Sequence, residues 1–161
     1  MGEQMNTEKR ETETYILTNI DGLDPVTIYV TNYKIGQGKI VIECFGDVWS
    51  YFWGGLGNKS LQEFFVSCDN SYILNKLLKK TTQTDFEEIN NLADKRGFPE
   101  ICVSSDVDVA MQAGDMDKCF GDEWYMELPT CETTEYWHLS RIVDAIKDSF
   151  KREGDSYSIA T

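Results

Sequence analysis

The chain has 161 residues, 41% hydrophobic and 12% aromatic, which is enough for a sizeable core and too apolar for a disordered acidic tail. It carries 28 Asp and Glu against 15 Lys and Arg, a formal net charge of −13. A field of that sign repels phosphate backbones and attracts basic surfaces, which argues against direct nucleic-acid binding, and no apolar run approaches the roughly 20 residues of a membrane span.

Residues 1–13 are polar and mixed in charge, which predicts a flexible N-terminal arm and not a signal peptide. Tyr15 to Ile20 is a short β-prone run. Val26, Ile28 and Val30 then alternate with Thr27, Tyr29 and Thr31, the period of a strand with two distinct faces. After the turn residues Gly36-Gln37-Gly38, Lys39 to Phe45 alternates again, and Gly46-Asp47 signals another hairpin. Val48 to Trp53 sets Trp49, Tyr51 and Trp53 on one face. These runs predict an antiparallel meander of three to four strands.

Helices follow the glycines of Trp53-Gly54-Gly55-Leu56-Gly57. Ser60 and Glu63 have the spacing of a capping box ahead of the stripe Leu61, Phe64, Phe65 and Cys68. Asp69 or Asn70 can cap a helix bearing Tyr72, Ile73, Leu74, Leu77 and Leu78, and Thr84 with Glu87 repeats the box before Ile89 and Leu92. Gly97-Phe98-Pro99 stops that helix. Further on, Val107 to Ala113 reads as a short helix ended by Gly114, and Glu123 to Leu128 as an extended run. The last element is the clearest: Tyr136, Leu139, Val143, Ile146 and Phe150 recur at helical spacing. Thr133 or Thr134 can cap this long helix and Gly154 would end it. The fold class is therefore α+β: a meander packed against several helices, with a long C-terminal helix. Residues 14–154 read as a single domain and 155–161 as a flexible tail.

No pattern assembles catalytic machinery. Five cysteines, Cys44, Cys68, Cys102, Cys119 and Cys131, are scattered, odd in number and without zinc-site spacing, as suits reduced thiols in a cytoplasm. The single histidine, His138, stands beside Trp137 and has no cysteine in a nucleophile motif to serve. Asp106-Val107-Asp108 and Asp115-Met116-Asp117 offer carboxylate pairs, but neither continues into a calcium loop. Gly54-Gly55-Leu56-Gly57 precedes a helix without the Gly-Lys-Ser/Thr of a phosphate loop. The expectation is no catalytic residue, no metal and no cofactor.

Charge placement is more informative. Asp106, Asp108, Asp115, Asp117, Asp122, Glu123, Glu127, Glu132 and Glu135 face a single base, Lys118, between Ser104 and Glu135, with Trp124 among them. Acidic loops of this kind keep a small domain soluble, or they engage the basic groove in which another protein holds nucleic acid. In the second case the carboxylates supply charge and Trp124 an aromatic anchor.

Several segments resemble a family of small accessory proteins encoded by bacteriophages and prophages. The resemblance runs through Leu23-Asp24-Pro25-Val26, Gly38-Lys39-Ile40, Glu43-Cys44, and Trp49 leading into Phe52-Trp53-Gly54-Gly55. It continues in Phe64-Phe65, Ser67-Cys68-Asp69, Tyr72, Gly121-Asp122-Glu123-Trp124 and Leu128-Pro129. Ser71 stands where the family pattern suggests a histidine. The resemblance implies a phage protein acting in the host cytoplasm and transfers no active site. Joined to the charge, it leads to an expected inhibitor of a host nucleic-acid-handling defence complex, of the anti-CRISPR or anti-restriction type. The alternatives are a small phage enzyme acting on a nucleotide or host protein through Cys68, His138 or the aspartate pairs, and a phage regulatory or assembly module.

Overall fold

The computed structural model describes residues 2–160, with side chains up to residue 154. Along the chain run β1 (Glu13–Leu17), β2 (Val26–Lys34), β3 (Gln37–Cys44), β4 (Asp47–Trp53), α1 (Leu61–Ser67), α2 (Asn70–Leu77) and β5 (Thr82–Thr84). Then come α3 (Phe86–Lys95), α4 (Asp106–Met111), α5 (Ala113–Phe120), a 3-10 turn over Trp124–Met126, β6 (Thr130–Glu132) and α6 (Thr134–Ala160). Two compact units divide these elements: residues 1–79 with 137–161, and residues 80–136. No proline- or glycine-rich linker marks the division, so the sequence reads through it as one domain.

In the first unit β1 to β4 form an antiparallel sheet in chain order, the predicted meander. Its register sets Val26 opposite Cys44, Ile28 opposite Ile42 and Val30 opposite Ile40, all buried. The two-residue period then delivers Trp49 and Trp53 to the same buried face. Tyr51 meets the Trp53 ring edge-on at 4.8 Å, and the Trp53 indole donates to the Tyr72 hydroxyl at 3.3 Å. This aromatic row packs into the core of the unit. Helix α1 lies over β2 and β3, and α2 beside β4. Ser60 caps α1 as predicted, its Oγ accepting the Glu63 N–H at 3.2 Å. Gly38 permits the close approach, since a Cβ there would come within 2.8 Å of the Leu61 Cβ. From α6 this unit takes buried Leu139, Ile142, Val143, Ile146 and Phe150. Thr133 caps that helix, accepting the Tyr136 N–H at 3.0 Å. Gly154 does not end α6, because without a left-handed φ a lone glycine weakens a helix without stopping it. The side chains of the expected tail lie outside the described residues.

One hairpin departs from ordinary turn chemistry. Phe45 and Gly46 join β3 to β4 with φ of +48° and +86°. Asn-Gly is the usual pair for such a turn, whereas a phenylalanine held left-handed costs about 1–2 kcal/mol. Phe45 is 87% exposed, so its ring gains little burial in return. Phe45→Asn is expected to raise stability by about 1 kcal/mol, read as a higher urea midpoint at unchanged slope. A lower midpoint would show that the ring makes a contact of value in the folded state.

The second unit packs Ile89 and Ala93 of α3 against Ile101, Val103, Val109 and Met116. Strands β5 and β6 pair antiparallel, Thr82 opposite Glu132 and Thr84 opposite Thr130. That ladder takes Thr84, so the cap of α3 falls one residue later than predicted, on Asp85, whose Oδ1 accepts the Glu88 N–H at 3.0 Å. The stop at Gly97 is as expected, with φ of +85° and the Phe98 N–H on the Ala93 carbonyl at 2.9 Å. Two expectations fail here. Gly114 sits inside α5, and the break between α4 and α5 falls at Gln112. The Gln112 amide is held by the Cys102 backbone, donating to its carbonyl at 2.9 Å and accepting its N–H at 3.3 Å. The run expected to be extended at Glu123 to Leu128 is a 3-10 turn, closed by Met126 N–H to Glu123 O at 3.0 Å and Glu127 N–H to Trp124 O at 3.2 Å.

Candidate acidic interface

Charge divides unequally between the units. Residues 80–136 hold fourteen Asp and Glu against four Lys and Arg, a net charge of −10, which leaves −3 for the larger unit. The ion pairs found among the described residues, Arg10 with Glu8 and Arg152 with Asp148, lie in the larger unit. Asp106, Asp117, Asp122, Glu123, Glu127, Glu132 and Glu135 are exposed, and Asp108 and Asp115 are half-buried.

The nine carboxylates do not share one role. Ser105 caps α4 by accepting the Asp108 N–H at 3.2 Å, and Asp108 Oδ2 accepts the N–H and the hydroxyl of Ser104, each at 2.9 Å. Asp108 therefore fastens the start of α4. Those bonds, the Ser104 N–H first among them, hold its carboxyl below the usual aspartate value. A depressed folded-state value means that its contribution to stability is present above the ordinary aspartate range and is lost as pH falls through the lowered value. An NMR titration of the Asp108 carboxyl is expected to give a midpoint below 3.8, moved upward by Ser104→Ala. A midpoint at or above the ordinary value would remove the bonds from the account.

Asp117 is also committed, since its Oδ1 accepts the Trp124 indole N–H at 2.6 Å. This bond ties α5 to the 3-10 turn, so Asp117, Asp122, Glu123, Trp124 and Glu127 form one local group. Asp106 begins α4, while Glu132 and Glu135 stand on β6 and in the first turn of α6. Trp124 itself is half-buried against the unit's core. The residues turned outward are its neighbours, Tyr125 at 64% and Met126 at 71% exposure. An extended run would bury alternate residues, and the sequence offered no sign of the tight turn that exposes both. Val107 and Met111, one helical turn apart on α4, are exposed as well.

Of the residues weighed for chemistry, Cys68 and His138 lie in the larger unit and the aspartate pairs in the smaller one. Burial pushes the Cys68 thiol up, against the pull of Lys147 and Lys59, which lowers its thiolate fraction at neutral pH. Lys147 donates to the Cys68 carbonyl. His138 lies by the Trp49 ring, centroids 6.2 Å apart. The cysteines are free thiols. Among the described residues no three His, Cys, Asp or Glu side chains are placed to share a metal ion, and no helix is long and apolar enough to cross a membrane.

Comparison with protein families matches residues 5–152 to the model of Phage_phiTE_072, a phage family. No curated protein and no solved structure matches the chain.

Proposed function

Since the chain belongs to this phage family, which spans nearly all of it, we propose that it is a phage-encoded inhibitor of a host nucleic-acid-handling defence complex, of the anti-CRISPR or anti-restriction type. It acts in the host cytoplasm by covering a basic surface that otherwise holds DNA or guide RNA. The observation that carries this reading is the confinement of −10 of the net charge to residues 80–136, with carboxylates exposed beside the outward aromatic Tyr125. Solubility alone calls for neither the segregation nor an exposed aromatic in the same place. Charge speeds encounter with a basic partner, and apolar side chains hold the complex once formed.

Capture from host lysate at low and moderate salt, followed by mass spectrometry, tests the reading. A nucleic-acid-handling complex recovered at low salt and depleted at moderate salt is expected. A partner without a basic surface would count against it. A second reading, a phage assembly or regulatory module, is favoured by exposed Ile16, Ile35 and Phe45 of the larger unit. Self-association in sedimentation, insensitive to salt, would mark that role.

For the small-enzyme alternative, the burial that raises the Cys68 thiol opposes nucleophilic use of that residue.

A further inference from the structure

The acidic unit also contains a small enclosed cleft of about 140 Å³. Ile89, Leu92, Phe120, Trp124, Leu128 and Pro129 supply its apolar walls, with Arg96 and Glu127 beside them. We infer that this cleft is a socket for one branched aliphatic side chain of a basic partner segment, whose flanking lysines or arginines meet the carboxylates around it. The inference rests on the proposed acidic-surface reading and specifies how that surface recognises its partner.

Three observations carry it. The walls are fixed before anything enters. Asp117 holds the Trp124 indole at 2.6 Å, and the Asp85 N–H ties the Pro129 carbonyl at 2.8 Å to the start of α3. The Arg96 guanidinium lies 5.0 Å above the Phe120 ring and donates to the Cys119 carbonyl at 3.2 Å. A preformed site spares the ordering cost of binding.

The size also selects the occupant. Small-molecule sites run to about 300–1,000 Å³, well above this volume, which suits a single leucine-sized side chain. The charge then selects the segment that carries it. Arg96 is turned onto Phe120 and the Cys119 carbonyl, Glu127 borders the cleft, Glu123 lies one turn before it, and the unit carries −10. An apolar anchor in an enclosed socket with charged groups at its rim is the arrangement in which one side chain dominates binding.

The test uses the full chain labelled with ¹⁵N and three synthetic peptides. The first has one central leucine among lysines and serines, the second has alanine for the leucine, and the third has glutamates for the lysines. The Trp124 indole signal is identified with Trp124→Phe. The leucine–lysine peptide is expected to shift that signal and to bind about tenfold or more tightly than the alanine peptide. Leu92→Phe, which narrows the cleft, should abolish the preference for leucine, whereas Leu92→Met should keep it. Equal binding of the leucine and alanine peptides, both weakened by salt, would overturn the socket and leave the acidic surface standing. Lysine peptides binding no better than the glutamate peptide would overturn both.

Discussion

Replacing Asp106, Asp122, Glu123, Glu127 and Glu132 together by their amides is expected to lower the association rate with a basic partner on the order of 10–10³-fold at low salt. The five are chosen because they are exposed and, among the described residues, make no side-chain hydrogen bond of the kind that commits Asp108 and Asp117. Their loss would halve the net charge of residues 80–136, from −10 to −5. The difference from the natural chain should shrink as salt rises, because screening removes the same long-range attraction. Each substitution alone should change little, since an exposed charge pair is worth about 0–1 kcal/mol. Folding stability should hold or rise slightly as self-repulsion falls. Stopped-flow association with the captured complex supplies the readout, and an unchanged rate in the five-fold variant would contradict steering by these carboxylates.

Phe65→Ala is expected to cost about 3–5 kcal/mol of stability. Phe65 is fully buried on α1, with its ring edge-on to Phe150 of α6 at 5.7 Å. Phe150 in turn meets Tyr15 of β1 at 5.2 Å, and the Tyr15 hydroxyl donates to Glu153 at 2.7 Å. Burial, with that carboxylate beside it, raises the Tyr15 hydroxyl well above its ordinary value, so the group stays a donor throughout the neutral range. Phe65 is thus one end of a row of rings that joins α1, α6 and the edge strand, and its removal leaves a cavity beside Phe150. Urea unfolding measures the loss, and a cost below about 1 kcal/mol would show that the site collapses onto the gap.

The larger unit is legible in the sequence because its signals are local and mutually consistent. Two-residue alternation from Val26 to Trp53 fixes the sheet and its buried face, Ser60 fixes the start of α1, and the spacing from Tyr136 to Phe150 fixes α6. The smaller unit is harder to read because its determinants are long-range or lie in side-chain bonds. Strand β5 is three residues long and exists by pairing with β6, nearly fifty residues away. Gln112 breaks a helix by bonding to Cys102, and no rule of spacing announces such a bond. The same holds within the acidic group. Composition identified nine carboxylates and Trp124, but not that Asp108 and Asp117 are structural, nor that Tyr125 and Met126 turn outward while Trp124 turns in.

An acidic unit that occupies a basic nucleic-acid-binding surface must compete with nucleic acid for it. The captured host complex, purified and loaded with labelled DNA or guide RNA, is titrated with the natural chain and with the five-carboxylate variant. The natural chain is expected to displace the nucleic acid, less effectively as salt rises, and the variant to displace little. Binding of the chain with the nucleic acid retained would contradict that competition.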